Sequence, residues 1–200
     1  MPTPLYRAFT YREGAAFDEP GGALYIPPQG RGRVDNPEHY RAYYATQQPA
    51  AAVAEVLGAR ESGAIQPESL RGSPLLAGSV LALATVQIPP RATLCDLDDP
   101  RELIARDLRP SRVITREYRV SQQWALAIFK ERRTPRWIGV SWWSFYESSW
   151  TSVAVWTPSA LKLLDVQPLT LDHPAVRDAV RVLRRPIMDR ATRSRGRPAG

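Results

Sequence analysis

Apolar and polar residues alternate along several stretches of the chain, and these stretches predict a protein rich in β-strands. A long, mostly apolar run ends at Pro89-Pro90, as expected for a strand that cannot continue through proline. Two tryptophan-rich runs flank a short polar turn, which predicts a β-hairpin. The predicted strands cover residues 5–10, 40–46, 80–88, 137–143, 150–156 and 161–169, with a short extended piece at 95–97.

Apolar residues at helical spacing predict helices between these strands. Pro49 fits the first turn of a helix whose apolar stripe continues to Gly58. Ser121 is expected to cap an amphipathic helix that Pro135 closes. The other predicted helices cover residues 98–107 and 174–183.

The order of these elements predicts a mixed α+β domain. The regular strand–helix–strand alternation of a doubly wound protein is missing, as are the glycine-rich turn of dinucleotide-binding proteins and the Gly-Lys-Ser phosphate loop. Residues 13–29 predict a Gly/Pro-rich loop that stays mobile until something orders it. We expect one domain over residues 1–185 and a basic, disordered tail over residues 186–200.

Charge adds little to this picture, because the basic excess is concentrated near the C-terminus. The chain has 27 basic and 20 acidic residues, and all the basic ones except Lys130 and Lys162 are arginines. Arginine suits phosphate binding, but abundant Ala and Pro make the codon usage of a GC-rich genome an equal explanation. Both explanations stay open.

Few residues suited to metal binding or disulfide formation are present. Cys95 is the only cysteine, and His39 and His173 are the only histidines. We therefore expect no disulfide and no bound metal. The N-terminus lacks the apolar stretch of a secretory signal, and no apolar run is long enough to span a bilayer, so we expect a cytoplasmic protein without membrane association.

Candidate chemistry is concentrated in the first third of the chain. Tyr44 precedes Glu55 by eleven residues, and a short Arg31-Gly32-Arg33 segment precedes both. An aromatic ring, a carboxylate beside the apolar stripe of a helix and an arginine–glycine loop are parts that can hold a nucleotide. Taken alone, Glu55 fits a carboxylate on a helix surface equally well.

Several sequence blocks, in this order, resemble the RES domain, the toxin half of a bacterial toxin–antitoxin system. The similarity extends over about residues 4–170. One departure is Asp35, an extra carboxylate just after the family's glycine–arginine turn. The matching blocks are residues 5–9, 32–33, 44–55, 80–98 and 139–144.

This resemblance implies an ADP-ribosyltransferase-like fold, a mixed sheet core with flanking helices, that binds NAD and breaks its nicotinamide–ribose bond. Arg7 and Arg33 would clamp the pyrophosphate by charge-assisted hydrogen bonds. Tyr44 would line the nicotinamide slot. Glu55 would stabilise positive charge on the ribose, and Ser144 would position the ligand rather than act as a nucleophile.

The expected function is that of a bacterial toxin that degrades NAD and is neutralised by a cognate helix-turn-helix antitoxin. The acceptor, water or phosphate, stays open, as does a homodimer within the complex. One alternative is an ADP-ribosyltransferase that modifies a macromolecule. A second is a basic nucleic-acid-binding module, although no known nucleic-acid-binding motif supports it and we expect no such binding by the toxin alone.

Overall fold

A seven-stranded β-sheet forms the centre of the protein. The computed structural model describes residues 3–60 and 63–188. The strands are β1 (Pro4–Tyr11), β2 (Tyr43–Thr46), β3 (Val80–Gln87), β4 (Thr93–Asp96), β5 (Trp137–Trp143), β6 (Thr151–Val155) and β7 (Lys162–Pro168). Their order across the sheet is β4-β5-β6-β2-β1-β3-β7. Only β4 and β5 run parallel; the other neighbouring strands are antiparallel.

Proline begins most of the helices. The α-helices of the described residues are α1 (Pro49–Ala59), α2 (Pro100–Ile104), α3 (Pro110–Val113), α4 (Tyr118–Lys130) and α5 (Pro174–Leu183), and two short 3-10 helices cover Pro67–Leu70 and Pro158–Ala160. Proline suits the first helical position because the missing N–H would have no intrahelical partner there. Mixed strand pairing and flanking helices confirm the predicted α+β class, and the tryptophan-rich runs form the predicted hairpin of β5 and β6.

Two separate hydrophobic cores lie on one face of the sheet. The first joins α1 and α5 to β1 and β3, with Val53, Leu57 and Val176 at its centre. The second joins α4 to β4, β5 and β6, with Trp124 and Trp142 among its buried residues. Most of α1 is buried although the helix is rich in alanine, because the small side chains let it lie close to β1 and α5.

The opposite face of the sheet is covered partly by the segment between β1 and β2. Ile26 packs with Leu5, Tyr43 and Val86, and Ala23 packs with Phe9. The Gly/Pro-rich loop, expected to be mobile, is therefore anchored to the sheet through its apolar residues.

Three of the predicted elements differ from the structure. The second strand begins at Tyr43 rather than Tyr40, because the amide of Tyr40 is bound to the Asn36 carbonyl in a turn. The predicted helix over residues 98–107 ends at Ile104, and the unpredicted α3 follows. Ser121 does not cap α4, which begins three residues earlier; its hydroxyl instead donates to the Arg33 carbonyl at 2.6 Å.

The predicted basic tail lies largely outside the described residues, which end at residue 188. Its first residues pair with the segment after α1. The Ile65 amide donates to the Pro186 carbonyl at 2.8 Å, and the Met188 amide donates to the Ile65 carbonyl at 2.9 Å. Ile187 thus forms a parallel bridge with Ile65. In the described parts of the chain, none of the helices has the length and apolar character to cross a membrane.

Truncating a leucine in the first core tests whether α1 is held by this packing. Leu57 is 0% exposed and Leu75, in the turn before β3, is 97% exposed. We expect Leu57→Ala to lower the free energy of unfolding by about 2–5 kcal/mol, because it leaves a cavity. Leu75→Ala should change it by less than about 0.5 kcal/mol. Urea denaturation of the two variants gives the comparison, and equal losses would contradict the described packing.

Candidate active site

A cleft of about 380 Å³ opens between the two cores on the helix-bearing face. Ala52 and Val56 of the first core form one wall, and Tyr44 and Trp142 of the second core form another. Four of the five predicted site residues line this cleft. They are Arg7, Arg33, Tyr44 and Glu55. The fifth, Ser144, lies directly behind Glu55.

Glu55 carries the carboxylate of the cleft and is exposed, whereas the five residues before it on α1 are buried. Although its side chain reaches solvent through the open mouth, the surrounding protein removes part of its hydration. This desolvation raises the pKa of Glu55 above its ordinary value. The hydrogen bond from Ser144 and the positive charge of Arg33 act in the opposite direction and lower that pKa.

Ser144 fixes the direction of the Glu55 carboxylate. The serine is 3% exposed and follows β5 immediately. Its hydroxyl donates to Glu55 Oε1 at 3.2 Å and accepts the Tyr146 amide at 3.2 Å. No other carboxylate or histidine contacts the Ser144 side chain in the described part of the chain, so the arrangement suits positioning and not nucleophilic attack.

The turn after β5 also packs directly against α1, through Tyr146. The Tyr146 ring packs so closely on Gly58 that a Cβ at this glycine would lie 2.4 Å from the ring. Gly58 lies three residues after Glu55, nearly one helical turn further on. The close approach therefore sets the distance between the Ser144 turn and the helix that carries the carboxylate.

Arg33 is held by backbone carbonyls and leaves part of its guanidinium free. Its Nη1 donates to the Val113 carbonyl at 2.9 Å and to the Thr115 carbonyl at 2.7 Å. The guanidinium carbon lies 5.4 Å from the centre of the Tyr118 ring. Nε and Nη2 have no hydrogen-bond partner among residues 3–60 and 63–188, so these N–H groups can bind an anion in the cleft.

Arg7 lies at one end of the cleft with an unsatisfied donor. Its guanidinium carbon is 4.6 Å from the centre of the Tyr43 ring, and Nη1 is buried without a hydrogen-bond partner. An unpaired buried cationic N–H is costly. An anionic ligand in the adjacent cleft can supply the missing acceptor, which fits the phosphates of a nucleotide.

Tyr44 presents its ring to the cleft, while its hydroxyl is already engaged. The hydroxyl donates to Asp35 Oδ1 at 2.7 Å and accepts the Val34 amide at 3.0 Å. Burial, followed by the charge of Asp35, raises the pKa of Tyr44 well above its usual range, so the hydroxyl stays protonated. Tyr44 is therefore equipped to contact a ligand through its ring.

Asp35 organises the loop that carries Arg33. Its Oδ2 accepts the amides of Gly30 at 2.8 Å and Gly32 at 2.7 Å, in addition to the bond from Tyr44 to Oδ1. A Cβ at Gly32 would lie 2.6 Å from the Tyr44 hydroxyl and 2.7 Å from Asp35. The extra carboxylate of the sequence thus holds the loop together.

Some residues of the site carry no distinct sequence signal. Ser121 and Gln122 bind the carbonyls of Arg33 and Gly32 and so attach the loop to α4. Tyr118 and Phe145, both exposed, line the mouth of the cleft. Their spacing from Glu55 in the sequence is irregular, because the cleft is assembled from elements far apart in the chain.

The described residues contain no group of three or more histidine, cysteine, aspartate or glutamate side chains arranged to hold a metal ion. The chemistry available in the cleft is that of one carboxylate, two arginines and several aromatic rings. Such a set can bind a phosphate-bearing ligand and stabilise positive charge next to the carboxylate.

The chain is similar to known proteins in its sequence family and in its fold. No curated protein matches the chain. The structure is similar to a chain in the crystal structure of the M. tuberculosis MbcT-MbcA toxin-antitoxin complex, with a TM-score of 0.54 and 17% sequence identity over 85% of each chain. This similarity shows that the two chains share a fold, a mixed sheet with flanking helices. A model of the RES domain family matches residues 4–176, and the chain therefore belongs to the RES domain family.

Proposed function

We propose that this protein cleaves the nicotinamide–ribose bond of NAD and acts as the toxin of a toxin–antitoxin pair. The observation that carries the proposal is Glu55: a single carboxylate, oriented by Ser144, in a cleft that also contains Arg7 and Arg33. Membership of the RES domain family and the toxin–antitoxin complex of the structural neighbour support it.

The two arginines match the charge of a dinucleotide. Arg7 has a buried nitrogen without a partner, and Arg33 keeps two nitrogens free toward the cleft. These free nitrogens would bind the pyrophosphate. Glu55 lies in the same cleft, so a pyrophosphate held by the arginines brings the nicotinamide ribose toward the carboxylate.

Bond cleavage separates a neutral leaving group from a positively charged sugar. The bond between the ribose C1′ and the pyridinium nitrogen breaks, and its electron pair leaves with nicotinamide. Positive charge develops on the ribose ring, where the ionised Glu55 stabilises it. Water then adds to C1′, which yields ADP-ribose and releases one proton. The rings of Tyr44 and Trp142 line the cleft and can shield the nicotinamide from solvent.

The proposal also covers the acceptor of the ADP-ribosyl group and the antitoxin partner. Water is the default acceptor, because the described residues that line the cleft include no histidine or cysteine, and the Thr46 and Ser152 hydroxyls there have no histidine to activate them. A cognate helix-turn-helix antitoxin would hold the toxin inactive, as a protein that covers the open mouth near Phe145 would exclude NAD. The mouth is suited to such a partner because Tyr118 and Phe145 are exposed aromatic residues.

Replacement of the carboxylate tests the central role of Glu55. We expect Glu55→Gln to lower nicotinamide release from NAD by roughly 100- to 1000-fold, the usual effect of losing one preorganised electrostatic group. Glu13→Gln, at an exposed position outside the cleft, is the matched control and should keep full activity. The measurement is chromatography of nicotinamide after incubation of purified protein with NAD. Undiminished release by Glu55→Gln would refute the assignment.

Product analysis in the same experiment identifies the acceptor. With NAD labelled in the adenylate half, we expect free labelled ADP-ribose. Label in ADP-ribose 1″-phosphate would instead identify phosphate as the acceptor. Label attached to protein or nucleic acid would show a transferase and contradict hydrolysis.

The pH dependence tests the role of Ser144. Only the ionised Glu55 stabilises positive charge, so activity should fall as the pH drops through the raised pKa of this residue. Ser144→Ala removes a hydrogen bond that lowers this pKa, so the acid limb of kcat/KM should move to higher pH. Activity at neutral pH should fall by about tenfold or less.

A second serine, Ser141 on β5, provides the control. Ser141 also donates to a carboxylate, Asp96 Oδ1 at 3.0 Å, but does not line the cleft. Ser141→Ala should leave the acid limb where it is. The same displacement in both variants, or none in Ser144→Ala, would contradict the positioning role.

Expression in bacteria tests the toxin–antitoxin part of the proposal. Cells that produce the protein should stop growing as their NAD falls, whereas cells that produce Glu55→Gln should grow normally. Co-expression of a helix-turn-helix protein encoded beside the toxin gene should restore growth and co-purify with the toxin. Growth arrest that persists with Glu55→Gln, at equal protein levels, would separate toxicity from NAD cleavage and overturn the proposal.

A further inference from the structure

A second chamber of about 540 Å³ adjoins the cleft and continues it away from Glu55. Arg7, Gly32 and Tyr44 line both cavities and form the waist between them. The far wall of the second chamber consists of Pro27, Pro28 and neighbouring residues of the segment before β2. The two cavities therefore form one elongated depression with an arginine at its middle.

The polar groups of the second chamber are almost all engaged within the protein. Gln29 donates to the Ala42 carbonyl at 2.6 Å and accepts the Ala42 amide at 2.7 Å, so both ends of its amide are occupied. The Asp35 carboxylate is 5% exposed and accepts three hydrogen bonds from the loop and Tyr44. Neither side chain can turn toward a ligand without breaking these bonds.

Two cations of the chamber remain available. Arg7 has its buried, unpartnered nitrogen at the waist. Arg31 is exposed on the rim and makes no hydrogen bond or ion pair with the described residues. The chamber thus offers positive charge without a free carboxylate. In doubly wound dinucleotide-binding proteins, sites for NAD use a carboxylate on the ribose 2′-hydroxyl, whereas sites for NADP use an arginine for the 2′-phosphate. The same charge argument applies to this chamber, although its fold is different.

We propose that the second chamber holds the adenosine half of the substrate and that Arg31 binds a 2′-phosphate, so that the protein cleaves NADP as well as NAD. This inference rests on the proposed function. With the reacting ribose at Glu55 and the pyrophosphate at Arg7, the adenosine extends past the waist toward Arg31. Cleavage breaks the same C1′–nitrogen bond; water adds to C1′, and the products are nicotinamide, 2′-phospho-ADP-ribose and one proton.

The kinetic test compares the two dinucleotides as substrates of the whole protein. We expect the wild-type kcat/KM for NADP to be within about tenfold of that for NAD. Arg31→Gln should lower the value for NADP by about tenfold, the loss of one charge-assisted contact, and that for NAD by less than about threefold. Arg91→Gln, at an exposed arginine between β3 and β4, is the matched control and should change neither value.

Binding to a non-cleaving variant decides the inference independently of catalysis. Calorimetry of Glu55→Gln should give a Kd for NADP no weaker than that for NAD, and adding Arg31→Gln should weaken NADP binding selectively. A preference of more than about 100-fold for NAD in kinetics or binding would overturn the inference. So would equal losses for both dinucleotides in Arg31→Gln. A protein that binds both but releases no nicotinamide would refute the proposed function and leave the chamber assignment standing.

Discussion

The cleft exists because two helix groups pack on separate parts of the sheet and leave the strip between them uncovered. Under α1, α5 and α4 the sheet presents apolar side chains, and burial of these side chains drives each helix onto its own strands. In the strip between them, Thr46 of β2 pairs with Ser152 of β6, and both residues line the cleft. Both residues are already buried, so a helix that closed over this strip would gain little additional contact. The gap is thus a stable part of the fold, and the site is built along its edges.

Two carboxylates close to this gap have different roles because their surroundings differ. The Asp35 carboxylate accepts three hydrogen bonds, and these bonds hold the loop that carries Arg33. Glu55 accepts one hydrogen bond from a side chain, Ser144, and faces the open cleft. A fully satisfied carboxylate acts as structure, whereas a partly satisfied one beside a cationic guanidinium can respond to charge on a ligand.

The sequence predicted the elements whose cause is local. The alternation of apolar and polar residues, the helical spacing of apolar residues and the positions of proline were enough to predict most strands and the helices α1 and α5. The resemblance to the RES domain identified Arg7, Arg33, Tyr44 and Glu55 as residues of one site. Contacts over long sequence separations were not predictable. Ser121 has the residue type of a helix cap, but α4 begins at Tyr118, so Ser121 lies inside the helix. Its hydroxyl instead donates to the Arg33 carbonyl, 88 residues away in the chain. From the sequence alone, Asp35 was interpreted as an extra negative charge. Its structural role depends on three hydrogen-bond donors that surround it only in the folded loop.

The bond between Ser144 and Glu55 spans 89 residues of the chain, and this separation affects when the site is completed during synthesis. Arg7, Arg33, Tyr44 and Glu55 leave the ribosome early, whereas β5, β6 and the turn that contains Ser144 follow much later. Until then β2 lacks its neighbour β6, and the carboxylate lacks the hydroxyl that directs it. A nascent chain therefore carries the charged groups without their alignment, and the site is assembled only when most of the domain has been translated.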